Sequence, residues 1–186
     1  MAPILLVSGA TRLAAGTAII LFFVNRVVSF GLSVGINSML LVRYNWGRSG
    51  VLPTRALAIT TVAGASGVAG ALMVHLGNPD HFWLPMGLIV LASAILVVVA
   101  AIVMREVNHR RMARTVTTKV VLDLILSAAG LGIYLARPTV SGFFGVVLVS
   151  QCITVLVCAV GLKENRWSGV AGLALVLSAS LVLFGW

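Results

Sequence analysis

Five apolar runs follow one another after residue 50, at residues 56–77, 84–104, 120–136, 142–162 and 168–186. They measure 22, 21, 17, 21 and 19 residues, and only short polar breaks separate them. An α-helix needs about 20 apolar residues to cross a hydrocarbon core of about 30 Å. Backbone amides cannot be left without partners in lipid, so spanning runs of this length form helices. The pattern points to an all-α, polytopic membrane bundle. The 17-residue run is short for a span and would draw on Thr117 and Thr118.

Residues 4–42 form a longer apolar stretch, broken by Arg12 and by Asn25-Arg26. It reads as one tilted helix over about residues 17–42 after an interfacial segment. The alternative is a hairpin with arms at residues 4–24 and 27–42. The expectation is therefore six spans, at about 17–42, 56–77, 84–104, 120–136, 142–162 and 168–186, with seven as the alternative. Residues 1–186 make one integral membrane domain, because no segment is polar enough for a soluble one.

Charge supports this. Only 9% of residues are charged, against about a quarter in soluble domains. The formal net charge is nonetheless +9, with 13 Lys and Arg against four acids. In a soluble protein that balance would suggest nucleic acid. Here the basic residues fall in the breaks between runs, as the positive-inside bias requires, and no nucleic-acid partner is expected.

The basic segment at residues 105–119 sets the expected orientation. With it cytoplasmic, Arg43, Arg48, Arg55, Arg105, Arg110, Arg111, Arg114, Lys119, Lys163 and Arg166 all lie inside. Arg12, Arg26 and Arg137 remain outside, a bias of ten to three. The C-terminus then lies on the outer side of the cell membrane. Arg105, Arg110, Arg111, Arg114 and Lys119 are the expected contacts for anionic lipid headgroups or an acidic partner. Asn45, Asn108 and Asn165 recur beside these basic breaks at intervals of 63 and 57 residues, a pattern that helix-end capping explains without a repeat.

Small residues mark expected helix contacts. Gly31 and Gly35 form a GxxxG, and Gly64 and Gly67 stand among Ala63 and Ala71 in the next run. Gly64-Ala65-Ser66-Gly67 also matches a serine-protease GxSG, but His75 is nine residues on, roughly 13 Å along a helix and on its opposite face. No catalytic residues are therefore assigned. His75, Asp80 and His81 surround a Gly-Asn-Pro-Asp turn, which turn chemistry accounts for, so no metal or cofactor is expected. Cys152 and Cys158 lie six residues apart on one run, about 600° around a helix, and cannot readily bridge.

Polar residues within spans are the functional pointers in such chains. Asn37 and Gln151 are candidates for lining a path. Asp123 is the third. Counted from the edge of its run it lies roughly 6 Å below the inner boundary, one turn from Lys119. No carboxylate then reaches mid-membrane, which argues against ion coupling through a buried acid. The expected function is a non-enzymatic channel or facilitator-type transporter for a neutral or anionic small molecule or lipid. The alternative is a structural or assembly subunit of a larger membrane complex. Expected partners are the bilayer and either further copies of the chain or other membrane subunits.

Overall fold

The computed structural model describes residues 54–78, 80, 83–136, 139–163 and 165–184. The expected span at residues 17–42, with Gly31, Gly35 and Asn37, lies outside the described residues, as does the choice between six and seven spans. The described chain forms five helices joined by short turns: α1 (Thr54–Gly77), α2 (Trp83–His109), α3 (Ala113–Ala136), α4 (Val140–Gly161) and α5 (Asn165–Phe184). No strand occurs among the described residues. The first four helices are long and apolar enough to cross a membrane. The apolar part of α5, Ser168–Phe184, is shorter.

Successive helices run antiparallel. α1 meets α2 where Gly64 faces Leu96 and Gly67 faces Ala92. The absence of side chains there lets the two backbones approach closely. α4 packs against α2, α3 and α5, and α5 closes the ring by packing back on α1. Among the described helices, this leaves α1, α2, α4 and α5 as a four-helix body, with α3 held mainly against α4. The helices bury two apolar clusters. One, around Leu96, Leu148, Ile153 and Leu181, fills the middle and one end. The other, around Val103, Val107, Val155 and Cys158, fills the end where α2 passes into α3.

Both helix ends at that second pole are longer than the apolar runs suggest. α2 continues five residues past 104, and α3 begins seven residues before 120. The basic segment is therefore two helix ends around a three-residue turn, and not a loop. Hydropathy stops at the first charge, whereas a helix stops where its backbone bonds are capped. Here Arg111 adopts φ 51°. Its N–H donates to the Asn108 carbonyl at 3.0 Å, and the Met112 N–H donates to the Val107 carbonyl at 3.1 Å. That is a Schellman closure, with Met112 and Val107 joining the same apolar cluster. α4 ends in a related way: Lys163 has φ 59° and donates to the Val160 carbonyl at 3.0 Å. At the other pole, α4 starts early because the Thr139 hydroxyl accepts from the Gly142 N–H at 3.1 Å.

The two turns also dispose of the Asn pattern. Asn108 precedes its left-handed residue by three positions, whereas Asn165 follows Lys163 by two and opens α5. The two asparagines are not equivalent. The left-handed residues themselves carry a penalty of about 1 kcal/mol that glycine escapes. Arg111→Gly is expected to raise thermal stability in detergent by about 1 kcal/mol, and an unchanged or lowered melting temperature would count against the closure.

α3 is inside-out by the standards of a water-soluble helix. Val116, Lys119, Asp123, Gly130 and Tyr134 form the stripe that is at least half-buried, at helical spacing. Val120, Val121, Leu124, Ile125 and Leu126 point away from the bundle. Charged groups thus face protein while branched aliphatics face outward, an arrangement compatible with lipid as the surrounding solvent. Hydroxyls elsewhere follow suit. Thr61, Thr154 and Ser178 each donate to the carbonyl four residues back, at 2.7, 3.0 and 2.7 Å.

Candidate functional site

The α3–α4 seam holds a polar cluster at the middle of both helices. Lys119 Nζ lies 3.1 Å from Asp123 Oδ2, one turn along α3. The other carboxylate oxygen, Oδ1, accepts a 2.6 Å bond from the Ser150 hydroxyl of α4. Both charged side chains are about four-fifths covered, at 20% and 19% exposure. Thr154, one turn beyond Ser150, turns its hydroxyl back onto the Ser150 carbonyl.

Register explains why these groups meet. α3 and α4 run antiparallel, with Thr115 against Gly161 at one pole, Gly130 against Val146, and Tyr134 against Phe143 at the other. Ser150 is the eleventh of the 22 residues of α4, and Asp123 the eleventh of the 24 of α3. At about 1.5 Å per residue, each lies roughly 15 Å from its helix end. Asp123 stands four residues into its apolar run, and midway along the helix that carries it.

The pairing is not helix-surface decoration. In an isolated helix the favourable order places the acid four residues before the base, and here the base comes first. The pair also lies in the contact stripe, where most positions along a seam are apolar. Gln151 follows Ser150 on α4 and is half-buried. Asn37 lies outside the described residues, so the expected association of Asn37 with Gln151 has no geometry here.

At the basic pole Arg110, Arg111, Arg114 and Lys163 are exposed, and Arg105 is half-buried. Lys119 stands apart from this group, because its ammonium is engaged with Asp123. Glu106, one turn before the α2–α3 turn, is buried, and Arg110 Nε meets its Oε1 at 2.8 Å. In the sequence Glu106 stands within the basic segment at residues 105–119. A signal was present. The buried stripe of α2 runs through Leu96, Val99 and Val103, and its next step is Glu106.

Among the described residues, no three His, Cys, Asp or Glu side chains come close enough to hold a metal ion. Cys152 and Cys158 are both free thiols, and Cys152 Sγ instead contacts the Ser178 hydroxyl at 3.6 Å. Gly64 and Gly67 lie at the α1–α2 contact. No protein-family model, curated protein or solved structure matches this chain.

Proposed function

We propose that this is a multi-spanning membrane protein of transport type, a channel or facilitator for a neutral or anionic small molecule. The observation that carries the reading is the Lys119–Asp123–Ser150 cluster midway along the α3–α4 seam. Ionisable groups within spanning helices are rare and mark substrate or ion pathways by default. Among the described helices, α3 is the one held mainly by a single neighbour, α4. A solute that breaks the seam's polar contacts would move α3 against the four-helix body, which supplies a gate without dismantling the core.

The proposed location is the cell membrane, with the pole bearing Arg110, Arg111, Arg114 and Lys163 cytoplasmic and the C-terminus outside. Anionic headgroups would then meet these side chains, each adding about 1 kcal/mol near the surface. The test is solute flux in proteoliposomes, with orientation read from impermeant labelling of cysteines placed at Arg110 and Asp80. Wild-type protein should pass small solutes, and Asp123→Asn should change the rate by at least about tenfold while the protein stays folded. Equal flux through wild type and Asp123→Asn would remove the seam from any pathway, and labelling of both cysteines from one side would refute the orientation.

A second reading, a structural or assembly subunit, draws on the outward aliphatic face of α3. Native mass spectrometry after mild solubilisation separates the two. A stoichiometric foreign protein supports the subunit reading. The chain alone, or as a homo-oligomer with lipid, supports transport.

A further inference from the structure

We infer that the outward face of α3 is the binding site of one anionic phospholipid, its phosphate held by Arg111 and Arg114 and its acyl chains lying along the aliphatic strip beyond them. The inference rests on the membrane reading and is independent of any solute carried. Arg114, Thr118, Val121, Ile125, Ala128 and Gly132 follow one another at intervals of three or four residues, so they line one side of the helix. All six are exposed. This side is opposite the stripe through Lys119, Asp123 and Tyr134, which packs on α4.

Charge selects the headgroup. The chain has four acids, Asp80, Glu106, Asp123 and Glu164, against 13 basic residues. Asp80 lies at the opposite pole, Glu106 meets Arg110, and Asp123 meets Lys119. Glu164 cannot neutralise Arg105, Arg111, Arg114 and Lys163 together, so counter-charge at this pole comes from outside the chain. Residues 110, 111, 117 and 118, one turn before and after Arg114, include no acid. Two of them are arginines, which add to the positive potential around its guanidinium. An anionic headgroup is the complement of that side chain.

Length selects a lipid over a soluble anion. Arg114 to Thr118 is about 6 Å along the helix, the depth of the headgroup and ester layer, which is about 5–8 Å on each side of the hydrocarbon. Val121 to Gly132 is about 16 Å, against about 15 Å for one leaflet of the core. The exposed side thus presents a cation, a hydroxyl and then an aliphatic strip. Their order and spacing are those of a phospholipid's phosphate, glycerol esters and chains. Val121 and Ile125 are 49% and 57% exposed, and a Cβ at Gly132 meets nothing within 4 Å among the described residues, so the strip has room for acyl chains. A soluble phosphate or an acidic peptide would use the arginines and leave that strip unmatched.

The experiment titrates the full chain in detergent micelles with phosphatidylglycerol and with phosphatidylcholine of the same acyl chains, and counts the lipid retained by native mass spectrometry. The first phosphatidylglycerol should bind more tightly than phosphatidylcholine by at least about fivefold. Arg114→Gln should weaken it about fivefold, and Arg111→Gln with Arg114→Gln about 25-fold. Arg114→Lys should keep it. Val121→Asn with Ile125→Asn, which leaves the charge alone, should weaken both lipids. All these positions are exposed, so each variant should still elute as a single monodisperse species. Equal weakening by Arg114→Gln and Lys163→Gln would mean a diffuse surface charge and would overturn the site. Displacement of the lipid by an equal concentration of glycerol 3-phosphate would mean a phosphate site without chains, and would overturn it too. Equal retention of the two lipids, by a chain that resists alkaline extraction from vesicles, would overturn the site and leave the membrane reading intact. A chain that alkaline washing strips from vesicles would overturn both.

Discussion

Replacing Lys119 alone by leucine destabilises the folded protein by about 3–5 kcal/mol, whereas replacing Lys119 and Asp123 together by leucine is neutral or stabilising by about 1–4 kcal/mol. The contrast comes from what each change leaves behind. The single variant strands a carboxylate, which still accepts from the Ser150 hydroxyl, in a seam four-fifths shielded by protein. The double variant removes both desolvation costs and fills the seam with aliphatic volume. The hydroxyl of Ser150 loses a partner, and it has the i−4 carbonyl of its own helix to turn to. Thermal unfolding in one detergent, followed by loss of monodisperse elution, measures both. If the single and double variants melt together, the pair is solvated and contributes no more than a surface ion pair. The same data decide whether the pair is retained for stability. A double variant that is more stable yet passes no solute would show that the chain carries the pair at a cost to its fold.

The helices were legible because their signal is long and redundant. Each of the runs at residues 56–77, 84–104, 120–136, 142–162 and 168–186 lies within or largely overlaps one described helix. Their ends were not legible from hydropathy, for a physical reason. A span's apolar run ends where charge begins, but its hydrogen-bond ladder continues until a closure such as that at Arg111 takes up the last carbonyls. The difference carries straight into the site. The pairing of Asp123 with Lys119 follows from spacing alone. Its place along the helix depends on where α3 starts, and the seven residues before Val120 put it at the middle of α3. Ser150 gave no signal, since a serine in an apolar run usually bonds its own helix, as Ser178 and Ser180 do. Only the antiparallel register of α3 on α4 brings its hydroxyl to Asp123. Glu106 was legible in principle, because the buried stripe of α2 runs into it, but its place within a basic segment masked the period.

Glycine spacing along these helices gives the other large expected effect, and it separates packing from propensity. A methyl group at Gly145 would stand 3.0 Å from the backbone nitrogen of Val182, 3.0 Å from Leu181 Cβ and 2.9 Å from Val182 Cγ2. Two of these atoms belong to α5 positions that no rotamer change can move, so α4 and α5 must separate to admit it. Gly145→Ala is expected to cost about 1–3 kcal/mol, and Gly145→Val more. Gly64 also meets a neighbour closely, but that neighbour is the end of the Leu96 side chain, which can yield. Gly64→Ala should therefore cost less than Gly145→Ala. Gly87 is the control. A Cβ there meets nothing within 4 Å, so Gly87→Ala should gain about 0.5–1 kcal/mol from backbone entropy alone. Melting temperatures in one detergent rank the three. A Gly145→Ala variant that melts with wild type would mean that α5 is not held at this distance from α4. The Cys152–Ser178 contact, two turns along the same crossing, would then lose its support as well. If Gly145→Ala is destabilised as expected while its flux is unchanged, the four-helix body and the α3 seam act independently, as a gate built on one peripheral helix requires.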